Sequence, residues 1–231
     1  KGIRTALKTL ASGTVGKLQV CIHPAWALDP YALYLELKRA FWTTNEHVST
    51  PRPAFTAIEV CHQHERGKAV WRGLEALPLA EMRLFSMHLI QSPANKMTPA
   101  AFVDQVKRLK IPNIQMEVFD EGALMRMKMN LLLATADGSV NRPRVLVLKY
   151  QPLQDQNPVV LVGKGVCFDT GGLSLKPSKN MHEMKTDMSG AAICVASVMA
   201  AAKQNLQLNM IAVVGLVENM PSGSAYRPGD V

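Results

Sequence analysis

The sequence predicts an α/β fold, because short apolar strand-like runs alternate with helical segments along the second half of the chain. Three of these runs are apolar almost throughout, apart from Lys149, rather than alternating, and they cover Val145–Tyr150, Val159–Val162 and Met210–Val217. Such runs are typical of strands that are buried on both faces of a parallel sheet. We therefore expect a mainly parallel central sheet with helices packed on it.

The length and composition favour a globular protein with one or two domains. The chain has 231 residues, of which 48% are hydrophobic and 19% are charged, and no apolar run approaches the roughly 20 residues that span a bilayer. We expect a small N-terminal α/β domain over residues 1–67, a linking helix over 68–91 and a larger α/β domain over 92–231. No membrane association is expected.

The elements predicted for the first part of the chain rest on periodicity and on helix-start signals. Asp29 is a plausible N-cap with Pro30 at the first helical position. A long helical pattern then includes Pro78, where we expect a kink. The predicted elements are a helix over 2–11, a strand over Leu18–Ile22, a helix over 30–41, a strand over Ala54–Val60 and a helix over 67–91.

The second part begins with a clear helix start. Thr98 is a suitable cap and Pro99 a suitable first residue for a helix that runs to about Leu109. An Ala-rich helix is predicted later in the chain, between the second and third apolar runs. The predicted elements that remain are a strand over Ile114–Phe119, a helix over Glu121–Met129 and the Ala-rich helix over Ser189–Lys203.

The charge of the chain and its cysteines indicate which partners the protein could bind and in which compartment it is located. Residues 1–110 carry 15 Lys and Arg against 8 Asp and Glu, whereas the whole chain has a net charge of +8. This basic half could attract nucleic acid, but it lacks interleaved aromatic residues and dense basic clusters, so we favour a solvated basic surface.

The four cysteines form no C-x-x-C pair, which favours free thiols and a cytoplasmic protein. They are Cys21, Cys61, Cys167 and Cys194.

A cluster of charged residues lies among glycines and apolar residues between Gly163 and Gly190. It consists of Lys164, Asp169, Lys176 and Asp187. Each has a simpler reading: Asp187 as a helix cap, Asp169 as a turn residue, Lys164 as a phosphate contact and Lys176 as a solvated side chain. Lys164 follows an apolar strand directly, where ligands of α/β sheets gather. A divalent metal ion together with an anionic intermediate would account for both signs of charge.

The type of ligand restricts the metal. Carboxylates with few cysteines suit Mg, Mn, Co or Zn. His62 and His64 are two residues apart at a strand end, but no second pair completes a zinc site, so we expect a surface position. His182 lies within the cluster and is interpreted as a bystander.

Three segments resemble the leucyl aminopeptidase (cytosol aminopeptidase) family. They are VGKGVCFDTGGLSLKP at 162–177, MKTDMSGAA at 184–192 and NMPSGSAYRPGD at 219–230, and SPANKMTP at 92–99 is similar to the start of the family's catalytic domain. The resemblance covers roughly residues 70–231. It implies that residues 92–231 are the first part of an α/β catalytic domain and that residues 1–67 are part of a variable N-terminal domain.

The resemblance implies a two-metal exopeptidase that removes the first residue of a peptide with a free amino terminus. Lys164, Asp169 and Asp187 match the metal ligands, with Asp169 bridging both ions and Lys164 binding through a neutral amine. Lys176 matches the catalytic lysine that stays cationic and polarises the scissile carbonyl. Met184 matches a residue of the pocket for the first side chain, which implies a preference for Leu, Met or similar residues. The implied ions are zinc or manganese, with cobalt or magnesium as alternatives.

Family members continue beyond the Pro-Gly-Asp motif to a segment with an Asp ligand, a Glu ligand and an Arg that binds a carbonate ion. Because that segment would follow Val231, we expect this chain to carry part of the active site, to be inactive alone and to belong to a longer enzyme. A homo-hexamer is the implied assembly. Two other hypotheses stay open: an inactive relative with a structural role, and a DNA-binding or regulatory role of the basic half.

Overall fold

The computed structural model describes the backbone of residues 17–22, 57–63, 69–70 and 77–231, with side chains from residue 78 onward. The chain divides into two compact units, Lys1–Ala80 and Glu81–Val231. The predicted helices over 2–11 and 30–41 lie outside the described residues. So do the side chains of His62, His64, Cys21 and Cys61. The predicted domain boundaries at 67 and 91 stay a prediction.

The first unit contains a sheet of three described strands. They are β1 (Lys17–Ile22), β2 (Ala57–Gln63) and β3 (Ala69–Val70). Strand β1 pairs with β2 in parallel, and β3 pairs with β2 antiparallel. The first two strands confirm the sequence prediction, with β2 displaced by three residues. The helix predicted from residue 67 is wrong at Ala69–Val70, because these residues form backbone pairs with β2 instead.

Helices and strands are interspersed from residue 77 to residue 219. The helices are α1 (Leu77–Gln91), α2 (Pro99–Arg108), α3 (Glu121–Arg126), α4 (Asn130–Ala136) and α5 (Ser189–Lys203), with a 3-10 helix at Met181–Thr186. The strands are β4 (Gln115–Phe119), β5 (Arg144–Tyr150), β6 (Val159–Asp169) and β7 (Met210–Asn219). The α/β class is therefore confirmed.

The direction of the strands differs from the prediction. The order in the second sheet is β4-β5-β7-β6. Strand β6 runs parallel to β7, but β4–β5 and β5–β7 are antiparallel pairs. The expectation of a mainly parallel sheet is therefore wrong for the described strands, where the sheet is mixed. A continuous apolar run carries no information on strand direction. The predicted burial on both faces is also wrong for Val159–Val162, because Val159, Val160 and Val162 are exposed at one edge of the described sheet.

Local start and stop signals explain the helix boundaries. The side chain of Thr98 accepts a hydrogen bond from the amide of Ala101 at 3.3 Å, which confirms the predicted cap of α2. Pro78 lies in the first turn of α1, where backbone N–H groups have no acceptor within the helix, so the missing N–H of proline costs no hydrogen bond. Pro78 therefore helps to begin the helix, and the predicted kink is wrong. The helix predicted to reach Met129 ends at Arg126, and Lys128 has a positive φ of 57° that a helix cannot continue through.

The core of the second unit lies between α5 and the sheet. Nine residues of α5 are buried, and six of them are alanines. Small side chains let the helix lie close to β5, β6 and β7, where Leu146, Leu148, Val214 and Leu216 are fully buried. No helix within the described residues is long and apolar enough to cross a bilayer.

Helix α5 lies very close to the sheet at Gly163 of β6. A Cβ atom on Gly163 would lie 2.8 Å from both the Cα of Ala191 and the carbonyl oxygen of Gly190. Both are backbone atoms that cannot turn aside. The glycine is therefore required by the packing of the first turn of α5 onto the strand.

This contact predicts a stability difference between two glycine substitutions. We expect Gly163→Ala to lower the free energy of unfolding by about 1–3 kcal/mol, because the added methyl forces α5 away from β6. Gly122→Ala in α3 is the matched control, since its Cβ would meet its nearest neighbours at 3.6 Å, and alanine favours helices by roughly 0.5–1 kcal/mol. Chemical denaturation measures both, and equal effects would contradict the packing argument.

Candidate metal centre

The pairing of β6 with β7 brings Lys164 and Asp169 to one face of the sheet. Lys164 pairs with Gly215, and Asp169 pairs with Asn219. The two partners are four residues apart on β7 and therefore face the same side. Lys164 and Asp169 are five residues apart and would face opposite sides of a regular strand. A register shift of one residue at Cys167, as in a β-bulge, corrects this mismatch.

The packing of α5 on β6 brings Asp187 to Lys164. Asp187 ends the 3-10 helix and directly precedes the N-cap of α5, which is Met188. The cap of α5 makes no side-chain hydrogen bond, so the reading of Asp187 as the helix cap is wrong. Its Oδ2 lies 2.9 Å from Nζ of Lys164.

Asp187 carries an acceptor that is incompletely satisfied. Its Oδ2 is buried and accepts no hydrogen bond of ordinary geometry within the described residues, although the ammonium of Lys164 is close. Buried carboxylate oxygens are costly without a partner. An oxygen of this kind, next to an amine, is a suitable position for a cation.

Three donors hold the carboxylate of Asp169, which is only 8% exposed. Its Oδ1 accepts hydrogen bonds from the amide of Gly171 at 2.9 Å and from Nδ2 of Asn219 at 2.8 Å. Its Oδ2 accepts one from Nζ of Lys176 at 2.5 Å. Burial alone would raise the pKa of Asp169, but the hydrogen bonds from Lys176, Gly171 and Asn219 and the charge of Lys176 together hold this pKa below its usual value. The carboxylate is therefore ionised.

Lys176 is placed by the turn that follows β6. Its amide donates to the carbonyl of Thr170 at 2.8 Å, which closes the loop back onto the strand end. Besides Asp169, its Nζ contacts Sδ of Met184 at 3.3 Å. The reading of Lys176 as a solvated side chain is therefore wrong, because its ammonium is turned towards the cluster.

Met184 lies on a small apolar cluster beside these charges. The buried members of the cluster are Ala94, Phe168 and Met220, and Met181 and Met184 pack against them. Met184 thus has one side on apolar residues and its sulfur at the ammonium of Lys176. This position suits a pocket wall next to the charged groups.

The remaining residue of the predicted cluster is peripheral. His182 is exposed in the 3-10 helix, and its side chain makes no hydrogen bond or ion pair with any residue that the structure describes. Nor do the described residues contain a group of three or more His, Cys, Asp or Glu side chains that could hold a metal ion. The candidate site thus consists of two carboxylates and two lysines, arranged as the pairs Lys164–Asp187 and Lys176–Asp169.

A second charged network, buried around Glu218, was not predicted from the sequence. Glu218 is 1% exposed, and its carboxylate accepts hydrogen bonds from Nη1 of Arg227 at 2.6 Å and from Oγ of Ser139 at 2.6 Å. Nδ2 of Asn141 donates to the same carboxylate at 2.9 Å. Glu218 directly follows the last of the three apolar runs, and a charged residue in that position is a signal of a buried polar contact. Its partners could not be identified from the sequence because they lie 9 to 79 residues away along the chain.

Comparison with known proteins identifies the family. The model of the cytosol aminopeptidase family, catalytic domain, matches residues 84–231, which is more than half of the chain. The chain belongs to the cytosol aminopeptidase family. It is 39% identical to a probable cytosol aminopeptidase of Gluconobacter oxydans over 70% of this chain and 32% of the relative's length. It is 44% identical to the cytosol aminopeptidase of Encephalitozoon cuniculi over 68% of this chain and 33% of that relative.

Two solved structures are similar to this chain in fold. The bottromycin maturation enzyme BotP in complex with Mn has a TM-score of 0.78 and 31% sequence identity, and the match covers 99% of this chain and 49% of BotP. The leucyl aminopeptidase from Trypanosoma cruzi also has a TM-score of 0.78, but at 23% identity this likeness concerns the fold alone. The chain spans about a third of the length of the curated relatives that it matches.

The buried network predicts a large effect of one arginine on stability. We expect Arg227→Ala to lower the free energy of unfolding by about 3–5 kcal/mol, because the buried Glu218 carboxylate loses its counter-charge. Arg142→Ala is the control, since its ion pair with Glu121 is 3.4 Å long and partly exposed, and such pairs contribute up to about 1 kcal/mol. Denaturant unfolding distinguishes the two, and a similar small loss for both would contradict the role of the network.

Proposed function

We propose that this chain forms the first part of the active site of a metal-dependent aminopeptidase that removes apolar residues such as Leu or Met from peptide amino termini. The observation that supports it best is the contact of Lys164 in β6 with Asp187, whose buried Oδ2 has no regular hydrogen-bond partner. Asp169 lies at the end of the same strand and, by its register, on the same face as Lys164. The curated relatives are named cytosol aminopeptidases. The hydrolase class follows from that family.

In this proposal the amine of Lys164 and the carboxylates of Asp169 and Asp187 hold two divalent metal ions. These donors suit zinc or manganese, with cobalt or magnesium as alternatives, and BotP is described in complex with Mn. Bound ions supply a water nucleophile at neutral pH and stabilise negative charge on the scissile carbonyl oxygen. Lys164 would have to be neutral to donate its lone pair, and two nearby dications favour that form.

Lys176, Asp169 and Met184 have separate roles in the proposed reaction. Lys176 would supply a positive charge beside Asp169, from where it can donate to the carbonyl oxygen of a bound peptide. The hydrogen bonds of Asp169 keep its carboxylate ionised and oriented. Met184 and its apolar neighbours would contact the first side chain of the substrate, which excludes water from the reacting end.

The proposal extends to features outside the described residues. The curated relatives are about three times as long as the matched segment. We propose that a further Asp, a further Glu and a carbonate ion complete the site in the full-length protein, that residues 1–231 alone are inactive, and that the enzyme is a cytoplasmic homo-hexamer. The hypotheses of an inactive structural protein and of a DNA-binding protein gain no support from the relatives, which are named as peptidases.

Metal removal tests the proposed reaction. We expect the full-length protein to hydrolyse leucine p-nitroanilide, to lose this activity after dialysis against a strong chelator, and to regain it with Mn²⁺ or Zn²⁺. Asp187→Asn should lose both bound metal and activity, because the buried oxygen becomes part of a neutral amide. Glu183→Gln is the control, since Glu183 is exposed in the adjacent 3-10 helix. An unchanged rate after complete metal removal would reject the mechanism.

The role of Lys176 is tested by comparing two lysines of the same loop. We expect Lys176→Ala to lower kcat by about 10²–10³, as for the loss of one charge-stabilising donor, and to leave the metal content unchanged. Lys179→Ala is the control, because Lys179 is exposed three residues further along the loop. Steady-state kinetics and metal analysis give both quantities. Equal kinetics for the two variants would show that Lys176 is dispensable.

A further inference from the structure

Asn219 is the last residue of β7 and lies directly beside Asp169, its register partner on β6. Its Nδ2 donates to Oδ1 of Asp169 at 2.8 Å. Its carbonyl oxygen accepts hydrogen bonds from both the amide and the hydroxyl of Thr170, at 2.9 and 2.8 Å. One residue therefore holds the end of β6 by its backbone and the carboxylate at that end by its side chain.

The turn after β6 leaves room for this amide. Gly172 has a positive φ of 69°, and a Cβ atom there would lie 2.9 Å from Oδ1 of Asn219. Any larger residue at this position would press on the amide group that contacts Asp169. The glycine thus preserves the orientation of Asn219 as well as the course of the loop.

The backbone of Asn219 is itself fixed by the buried network. Its neighbour Glu218 is held by Arg227, and the guanidinium of Arg227 lies over the ring of Phe168 at 5.6 Å. Phe168 precedes Asp169. The ends of β6 and β7 are therefore joined both by their pairing and by the contact of Phe168 with Arg227.

The donors around Asp169 differ in how firmly they are held. Oδ1 receives two donors that are fixed by the backbone or by a strand end, from Gly171 and Asn219. Oδ2 receives only the end of the long side chain of Lys176, which is 38% exposed. The fixed pair sets the rotation of the carboxylate, and this rotation leaves Oδ2 as the oxygen that can exchange its partner for a cation.

We propose that Asn219 is a positioning residue that orients Asp169 for metal binding. This role rests on the proposed function, in which Asp169 is a metal ligand. Groups that orient a ligand in this way typically change metal affinity by 10–100-fold when they are removed.

The test measures Mn²⁺ affinity and folding stability in the same full-length protein. We expect Asn219→Ala to weaken Mn²⁺ binding, measured by calorimetry or by competition with a chelating dye, by about 10–100-fold. Asn219→Leu keeps the side-chain volume and serves if the alanine variant folds poorly. The same loss of affinity is expected for Asn219→Leu, because it also lacks the donor.

Asn209 provides the matched control at the other end of the same strand. It is 2% exposed and its side chain bonds the backbone of Leu153 and Gln156 at 2.9–3.0 Å, so its loss also removes buried hydrogen bonds next to β7. We expect Asn209→Ala to lower the unfolding midpoint of the metal-free protein but to change Mn²⁺ affinity by less than about threefold.

The outcomes separate this inference from the proposed function. Unchanged affinity in both Asn219 variants, or an equal loss in Asn209→Ala, would overturn the positioning role while leaving the metal site intact. If Asp169→Asn binds Mn²⁺ as tightly as the unsubstituted protein, the proposed function fails and the role of Asn219 fails with it. Weakened binding in the Asn219 variants and in Asp169→Asn, with Asn209→Ala near normal, supports both.

Discussion

The parallel pairing of β6 with β7 is the constraint on which the rest of this structure depends. It is the parallel pair of the described second sheet, and its register shift at Cys167 changes the face towards which the end of β6 is directed. A regular strand would place Lys164 and Asp169 on opposite sides of the sheet. The shift costs one unpaired residue in the ladder and gives a single face with an amine and a carboxylate.

Close helix packing adds the second carboxylate to this face. Because Gly163 has no side chain, the first turn of α5 contacts the backbone of β6 directly, and Asp187 reaches Lys164. Each carboxylate is paired with one lysine, which reduces the cost of burying the two carboxylates. In the proposed function these carboxylates exchange a lysine partner for a metal ion. The ion pairs therefore orient the carboxylates without preventing metal binding.

The elements that depend on residues within one or two turns could be predicted from the sequence. Ser189–Lys203 was predicted with the observed bounds, and the Thr98 cap of α2 was found because capping depends on residues within one turn. Strand β6 was predicted over four residues and has eleven, since Gly163, Lys164 and Gly165 do not look like strand residues. Their extended conformation comes from pairing with β7 and from the contact with α5, which lies about 25 residues further along the chain.

By itself, the sequence determined the α/β class, the helices that carry clear caps and the four charged residues that form the cluster, because composition and short-range periodicity act within a few residues. Tertiary structure alone decided the mixed direction of the sheet, the common face of Lys164 and Asp169, and the support of Asp169 by Asn219. These features depend on which strand lies beside which and in what register. Strand register depends on contacts between several strands and helices, so the sequence of one segment does not determine it.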